Sequence, residues 1–333
     1  MIDLHLHFDG SLLARTVLEL AKEQGIALPS EEPDELKLFL EAPADCGSLN
    51  EYLEKFDLPL LVLQTREAIR KGMYTLVSSL KEQGMLYAEI RFAPQLHTKK
   101  GLTQEQVVKA ALQGLQEAAA GSFFKAKLIL CCMRGADNRE ENLLTVRTAA
   151  AFLGRGVAAL DLAGAEALYP TADYGEVFAL AKELSVPFTI HAGEADGPES
   201  IRAALRMGAS RIGHGVRAGE DPELLEELKE RQIPLEMCPS SNVQTKAVPS
   251  LSEHPVLSYL RRGLLVTVNT DNMTVSDTTI EREFRLLKEK LGMTPEERRQ
   301  LLLNAADAAF LTAEERWRLK DVIEKVCVGK TES

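Results

Sequence analysis

The chain has 333 residues, and 39 Lys and Arg against 50 Asp and Glu give it a formal net charge of −11. Hydrophobic residues make up 45% and charged residues 27%, which is ordinary globular usage and excludes a disordered, collagen-like or coiled-coil chain. No apolar run approaches the roughly 18 residues that span a bilayer, and clustered Lys and Arg for duplex phosphates are lacking. We therefore expect neither a membrane nor a nucleic acid as partner.

The five cysteines are irregularly spaced and include no Cys-x-x-Cys pair, so a zinc ribbon or thioredoxin-type motif is not expected. Cys131 and Cys132 lie side by side in an apolar run, which is typical of buried free thiols in a reducing compartment. Met1 is followed at once by strand-like alternation, so we expect no secretory signal. These features predict a cytoplasmic protein.

Eight short apolar runs alternate with helical patterns along the chain. Most are rich in Val, Ile, Leu and Phe, as expected for strands buried on both faces of a parallel sheet. The predicted strands are 2–7, 86–92, 127–133, 157–162, 187–191, 211–214, 234–238 and 264–270. Eight such units predict an α/β fold, a (β/α)8 barrel of TIM type. A doubly wound open sheet is the alternative, but it would normally bring a Gly-rich first turn.

Two stretches exceed a minimal barrel. Residues 30–63 carry prolines and short apolar clusters, and they predict a helical insertion over the C-terminal face, where barrel active sites lie. Residues 293–328 predict further C-terminal helices. Capping-box patterns at 103–106, 294–297 and 312–315 mark helix starts. No linker-like stretch divides the chain, so we predict one domain over residues 1–333.

The positions of the histidines carry the functional argument. His5 and His7 are two residues apart on the first predicted strand, so their side chains point to the same face. Two converging neutral imidazoles suit a metal ion, whereas a polar strand edge with exposed histidines is the alternative. The apolar character of this strand favours the metal.

Three further groups follow other strands of the predicted barrel. His191 ends the fifth strand and precedes Glu194 by three residues, His214 ends the sixth strand, and Asp271 follows the eighth. Each has a plain structural alternative, such as a satisfied histidine at a turn or an Asp that caps a helix. Because the C-terminal ends of barrel strands meet at one site, these side chains are expected to converge.

Together these groups predict a mononuclear metal site. The predicted ligands are His5, His7, His191 and Asp271, with Glu194 and His214 free beside them. Three nitrogens and one oxygen suit zinc with one position left for water, and iron, cobalt and manganese stay open on the ligands alone. No lysine ends the fourth strand, which disfavours a bridged two-metal site.

The remaining candidates have no predicted role in the chemistry. His97 lies near two lysines and His254 precedes a proline, so both are predicted to be surface or capping residues. Cys238 ends the seventh predicted strand and is predicted to be a buried thiol rather than a ligand or nucleophile.

At these residues the chain resembles the adenosine deaminase family of metal-dependent barrel hydrolases. The matching motifs, in the family's order, are residues 3–11, 161–164, 191–194, 211–215, 238–242 and 269–272. The resemblance implies zinc-dependent hydrolytic deamination of adenosine and 2′-deoxyadenosine to inosine-type products and ammonia, in purine salvage, with one zinc ion per chain. It implies a small-molecule purine nucleoside as partner and gives no oligomeric state.

The resemblance also implies roles for single residues. Glu194 would be the proton shuttle at the purine ring, and His214 would orient the attacking water. The implied substrate contacts are His7, Asp9 at the ribose hydroxyl, the Gly164 backbone at the purine edge, and Asn272. The insertion at 30–63 is similar in place to helices that cover the substrate in that family.

One position departs from the family pattern. Asn272 stands where the family usually has a second Asp, which donates a hydrogen bond to purine N7. An Asp can donate only when protonated, whereas an Asn amide donates at any pH, so the contact is expected to survive.

Two alternative functions stay open: a deaminase of a related 6-aminopurine such as adenine or a modified adenosine, and a catalytically inactive nucleoside-binding barrel. The His-x-Glu and Pro-Cys-x-x-Cys elements of the other zinc deaminase design are absent from the sequence.

Overall fold

Eight parallel strands alternate with helices in the computed structural model, which describes residues 1–43 and 46–328. Within those residues the strands are Ile2–His7 (β1), Tyr87–Phe92 (β2), Lys125–Met133 (β3), Val157–Ala163 (β4), Thr189–Ala192 (β5), Arg211–His214 (β6), Leu235–Met237 (β7) and Val266–Val268 (β8). Leu4, Leu6 and Ile90 are fully buried in the hydrophobic core, as expected for strands covered by helices on their outer face.

The strands pair with their neighbours in chain order. β1 to β4 form one four-stranded sheet and β5 to β8 form a second. Isolated parallel bridges join the two sheets at both seams, between Leu6 and Asp271 and between Leu160 and Phe188. This ring of strands confirms the predicted (β/α)8 barrel of TIM type.

Three of the helices begin at the predicted capping boxes. They are Ala14–Gln24 (α1), Pro33–Leu40 (α2), Leu49–Leu53 (α3), Asp57–Val62 (α4), Arg66–Glu82 (α5), Gln104–Ala119 (α6), Arg139–Phe152 (α7), Gly175–Glu183 (α8), Pro198–Met207 (α9), Pro222–Glu230 (α10), Pro239–Gln244 (α11), Val256–Arg261 (α12), Ile280–Leu291 (α13), Pro295–Ala308 (α14) and Ala313–Val328 (α15). Reciprocal capping-box hydrogen bonds are present at Thr103, Thr294 and Thr312. In the described part of the chain, no helix has both the length and the apolar character needed to cross a bilayer.

The last two strands are shorter than predicted. The sequence predicts strands over 234–238 and 264–270, whereas β7 ends at Met237 and β8 at Val268. Cys238 instead precedes α11 directly, and Asp271 has a left-handed backbone with φ 59°. The residues after β7 and β8 therefore form turns at the C-terminal face of the barrel instead of extending the strands.

The segment 30–63 contains the short helices α2, α3 and α4. Hydrogen bonds tie it to the loop after β8: the N–H of Ala42 donates to the carbonyl of Val275 at 2.8 Å, the hydroxyls of Tyr52 and Ser276 are 2.7 Å apart, and Lys37 donates to Asp277 at 2.9 Å. At the other end of the chain, α14 and α15 account for the predicted C-terminal helices. The single-domain organisation over 1–333 stays a prediction.

Candidate active site

Four histidines and one carboxylate converge at the C-terminal face of the barrel. His7 Nε2 lies 3.2 Å from His191 Nε2 and 3.4 Å from Asp271 Oδ1, and His5 Nε2 lies 3.3 Å from the same oxygen. The ring centroid of His214 is 4.7 Å from that of His5. The structure therefore brings together all the predicted metal ligands, and His214 lies among them.

The donor set fits a metal ion. Ligand atoms of His5, His191, His214 and Asp271 all lie within 4.8 Å of one another. His5 Nε2 is buried and has no hydrogen-bond partner. Imidazole lone pairs and a carboxylate oxygen at these distances repel one another unless a positive charge lies between them. A cation with nitrogen and oxygen ligands would relieve this repulsion.

Carboxylates behind two of the histidines orient their rings. His5 Nδ1 lies 2.8 Å from Glu236 Oε2, and His191 Nδ1 lies 2.9 Å from Asp161 Oδ2. Because an ionised carboxylate can only accept, both Nδ1 atoms donate and both Nε2 lone pairs point to the centre of the site. A carboxylate behind the imidazole is the usual arrangement of a metal-binding histidine.

A buried network of charges holds these carboxylates in place. Arg91 pairs with Asp161 and Glu236 at 2.8 Å each, and Arg211 pairs with Glu236 and Glu89 at 2.6 Å each. Burial alone raises the pKa of Asp161, but the nearby His191 and Arg91 charges hold it well below its usual value. The barrel interior below the site therefore contains a network of buried ion pairs, which the sequence patterns did not reveal.

The strand that carries His214 approaches the other histidines closely. A Cβ added at Gly213 would lie 3.0 Å from His191 Cα and 3.2 Å from His5 Cε1. His214 itself has a left-handed backbone, with φ 60°, which strains a residue with a side chain. Strained backbone of this kind clusters at functional sites. Its Nδ1 faces the Asn242 side-chain amide at 3.0 Å, not a carboxylate.

Glu194 is a buried carboxyl group beside the histidines. The Thr245 hydroxyl donates to its Oε1 at 2.9 Å, and its Oε2 lies 3.5 Å from His214 Nε2. Burial, followed by the negative charges of Asp271 and Glu166, raises the pKa of Glu194 to about 8. The group therefore keeps a proton at neutral pH, as a general acid must.

Glu166 shapes the loop that carries Glu194, and the sequence patterns did not single it out. Its buried carboxylate accepts the backbone N–H groups of four consecutive residues, 193–196, at 2.7–3.0 Å. It also accepts the hydroxyl of Ser200. Its place a few residues beyond Asp161, at the C-terminal end of β4, is the signal that could have identified it.

A cavity opens above the five converging groups. Its walls are largely apolar, with Leu49, Tyr52, Leu53, Phe56 and Leu60 contributed by the segment 30–63. The residues predicted to contact substrate also line it: His7, Asp9, Gly164 and Asn272. Asp9 Oδ1 and Asn272 Oδ1 are buried without hydrogen-bond partners. A ligand hydroxyl in the cavity would be able to donate to Asp9 Oδ1.

Comparison with known proteins identifies the family of this chain. The adenosine deaminase family model matches residues 1–326. The chain belongs to the adenosine deaminase family. An adenosine deaminase from Haemophilus ducreyi is 52% identical over 95% of this chain and 93% of its own length. The family membership confirms the predicted hydrolytic deaminase.

Solved structures of deaminases share the fold. An adenine deaminase from Arthrobacter aurescens has a TM-score of 0.90 and 28% identity, covering 97% of this chain and 98% of its own. An N6-methyl-AMP deaminase from Arabidopsis thaliana has a TM-score of 0.84 and 25% identity, covering 97% and 96%. Two proteins named for different 6-aminopurine substrates thus have the same barrel architecture as this chain.

Two histidines of this adenosine deaminase family member are more buried than the sequence predicts. His97 and His254 are not surface residues, because they are 0% and 4% exposed. His97 Nδ1 donates to the Leu63 carbonyl at 2.9 Å, and its Nε2 lies 3.9 Å from Asp9 Oδ2. His254 Nδ1 accepts the N–H of Val256 at 3.2 Å, which is a capping contact at the start of α12. The predicted surface position is therefore wrong for both rings, which tertiary packing buries, whereas the predicted capping role holds for His254.

Cys238 is buried and unpaired with another cysteine, as predicted. Its Sγ lies 3.5 Å from the carbonyl oxygen of Glu236, and burial raises the pKa of the thiol well above its usual value. A thiol in this state is a poor nucleophile and a poor metal ligand.

Proposed function

We propose that the protein catalyses hydrolytic deamination of adenosine and 2′-deoxyadenosine, with one zinc ion held by His5, His7, His191 and Asp271. The observation that carries the proposal is the position of Glu194: a carboxyl group that keeps its proton lies beside a metal-type donor set, inside an apolar cavity. General acid catalysis next to a hydrolytic centre requires such a pair.

Three nitrogens and one carboxylate oxygen are a donor set that zinc prefers. When bound, zinc supplies a nucleophile at neutral pH by lowering the pKa of a water. Asp271 accepts a 2.6 Å hydrogen bond from the Ser241 hydroxyl, which orients its carboxylate. His214 is left out of the ligand set because its Nδ1 faces an amide, unlike those of His5 and His191.

The side chains would act on the purine in a defined order. Glu194 donates its proton to purine N1, which makes C6 electrophilic. His214 orients the attacking water, whose oxygen bonds to C6 while the C6–N bond breaks and the amino group leaves as ammonia. Thr245 holds the Glu194 carboxyl in place. Asn272 would donate to purine N7. The apolar walls exclude bulk water, so that these charges and dipoles act in a low dielectric.

The charge of the cavity lining favours a nucleoside over a nucleotide as substrate. Among the described residues that line it, none is Lys or Arg. Phosphate recognition normally uses such cations, so a nucleoside monophosphate would be poorly held. Adenine is the second candidate, since a neighbouring structure is named adenine deaminase. It would leave Asp9 without the ribose hydroxyl it is proposed to meet, and unpaired buried groups strongly discriminate against such analogues.

The test is ultraviolet absorbance after mixing the purified protein with adenosine. A fall near the adenosine maximum, abolished by a strong chelator and restored by zinc, is the expected result. Adenine and AMP are the matched comparison substrates, and slower turnover of both is expected. No change with zinc confirmed bound would refute the proposal for adenosine, and turnover of adenine or AMP would then identify the alternative substrate.

The proposed compartment is the cytoplasm. Four cysteines in the described part of the chain are buried free thiols: Cys46, Cys131, Cys132 and Cys238. Reduced thiols are the usual state of cysteines in the cytosol, which supports this part of the proposal.

Replacement of Asp271 by alanine is expected to remove the metal. The change deletes the one oxygen ligand and leaves three imidazoles, so zinc content per chain should fall to a small fraction of the wild-type value. Metal analysis of the dialysed variant measures this directly. Asp277→Ala is the control, because Asp277 lies on the surface and pairs with Lys37 and Arg282. Full zinc occupancy in Asp271→Ala would show that Asp271 is not a ligand.

Replacement of His97 by leucine is expected to weaken substrate binding more than turnover. His97 Nε2 borders Asp9, and we expect its loss to disorder the proposed ribose contact and raise KM for adenosine about tenfold, the effect of roughly 1.4 kcal/mol. Steady-state kinetics with adenosine and with analogues lacking one ribose hydroxyl give the measurement. For the analogue that lacks the hydroxyl contacted by Asp9, the KM of His97→Leu should equal that of the wild type. An equal effect on every analogue would contradict this role.

A further inference from the structure

A chain of three buried side chains leads from α12 to the centre of the site. It starts at His254, whose Nδ1 accepts the backbone N–H of Val256 at 3.2 Å. A backbone N–H can only donate, so the proton of the neutral His254 ring is on Nε2. Burial also lowers the pKa of His254 to about 3, which keeps the ring neutral.

The next link fixes the orientation of the Asn242 amide. His254 Nε2 lies 3.2 Å from Asn242 Oδ1 and donates to it. The backbone N–H of Cys238 donates to the same atom at 3.3 Å. Two donors on one atom assign that atom as the amide oxygen. The amide nitrogen is therefore the end that lies 3.0 Å from His214 Nδ1.

The last link determines the tautomer of His214. Because the Asn242 amide nitrogen donates, His214 Nδ1 must accept, and the proton of the neutral ring lies on Nε2. Nε2 faces the site, 3.5 Å from Glu194 Oε2. His214, Asn242 and His254 are all buried, so water does not compete for these hydrogen bonds.

His214 thus differs from the two histidines that are backed by carboxylates. His5 and His191 donate from Nδ1 to Glu236 and Asp161, and they present a lone pair to the centre. His214 presents an N–H instead. An N–H cannot bind a cation, but it can donate to an oxygen that carries or develops negative charge.

We propose that Asn242 and His254 are positioning residues that hold His214 in the Nε2–H tautomer, so that it donates to the attacking oxygen and stays off the metal. The catalytic part of this inference rests on the proposed function. In serine proteases, a single change that reverses the tautomer of the active-site histidine lowers turnover by about 10⁴-fold. A similar dependence is expected at His214.

The test is Asn242→Asp, which keeps the size of the side chain and replaces the donor by an acceptor. His214 would then donate from Nδ1 and turn its Nε2 lone pair to the site. In zinc-loaded protein with ¹⁵N-labelled histidine, one-bond N–H coupling is expected at Nε2 of His214 in the wild type and at Nδ1 in the variant. The signal is assigned by its loss in His214→Gln.

Kinetics provide the second measurement. Turnover of adenosine by Asn242→Asp is expected to fall at least 100-fold, with zinc content unchanged. Asn304→Asp is the matched control, because Asn304 is also buried but pairs with Gln300 and the Val266 carbonyl, away from the site. His254→Leu removes one of the two donors to the Asn242 oxygen and leaves the weaker one, the Cys238 N–H, so a mixture of both tautomers with a smaller loss of turnover is expected.

The outcomes separate the two proposals. A proton on Nδ1 of His214 in the wild type, or an unchanged tautomer in Asn242→Asp, would overturn the inference. Reversed tautomers with unchanged turnover would overturn its catalytic part. If Asn242→Asp does not fold, the wild-type and His254→Leu spectra still decide the tautomer. A wild-type protein that has the Nε2–H tautomer but does not deaminate adenosine would refute the proposed function alone.

Discussion

Replacement of Glu194 by glutamine is expected to lower the turnover of adenosine by about 10²–10⁴-fold, the usual contribution of a general acid. The amide has nearly the same size as the carboxyl group and keeps a hydrogen bond with Thr245. It does not transfer a proton to purine N1, so binding and fold should persist while the chemical step slows. The measurements are kcat, zinc content and the thermal midpoint of unfolding.

The pH dependence provides an independent check on Glu194. Because its carboxyl group has a pKa raised to about 8, the acid is present below that pH and is lost as the pH rises through it. Wild-type turnover should therefore decline on the alkaline side, and the residual activity of Glu194→Gln should lack that decline. Glu199→Gln, at the exposed start of α9, is the control. Wild-type turnover in Glu194→Gln would exclude the proposed role.

Replacement of Glu166 by glutamine is expected to damage both the stability and the activity of the protein. The carboxylate accepts four backbone N–H groups, and an amide in its place would direct N–H against N–H at one of its two positions. Each buried donor left unpaired costs about 1–3 kcal/mol, so the free energy of unfolding should fall by roughly that amount. Because the same loop carries Glu194, kcat should fall by about tenfold or more, the effect of displacing a catalytic group.

Denaturant unfolding and steady-state kinetics, measured on the same preparation, test this prediction. Glu176→Gln is the control, since Glu176 lies on the surface and pairs with Arg139. Reduced stability combined with normal kcat would mean that Glu166 supports the loop without positioning Glu194. The pattern also differs from that of Glu194→Gln, which is expected to leave stability nearly unchanged.

The sequence predicted the barrel and the metal-type cluster because both depend on short spacings. A separation of two residues puts His5 and His7 on one face of a strand, and parallel strands bring their C-terminal ends together. The apolar runs revealed where β5 and β6 end, and with them the positions of His191 and His214. No long-range contact had to be known to make these predictions.

The residues that support this cluster could not be predicted in the same way. Glu166 pairs with backbone groups about thirty positions away, and Asn242 pairs with His214 across 28 positions. The charged neighbours of His97 and the proline after His254 predicted surface or capping positions. Their burial is decided instead by the packing of distant segments. Spacing within one strand or turn carries no information on such contacts. They require the three-dimensional arrangement of neighbouring βα loops.

The two seams of the barrel give the proposed metal a mechanical role. β1 to β4 and β5 to β8 are separate hydrogen-bonded sheets, joined at each seam by an isolated bridge. His5 and His7 lie in the first sheet, whereas His191 and Asp271 belong to the second half of the chain. A cation bound by all four would therefore cross-link the two halves where backbone pairing is sparse. The proposed ion would then have a structural role besides its chemical one, because it would hold the two four-stranded sheets together.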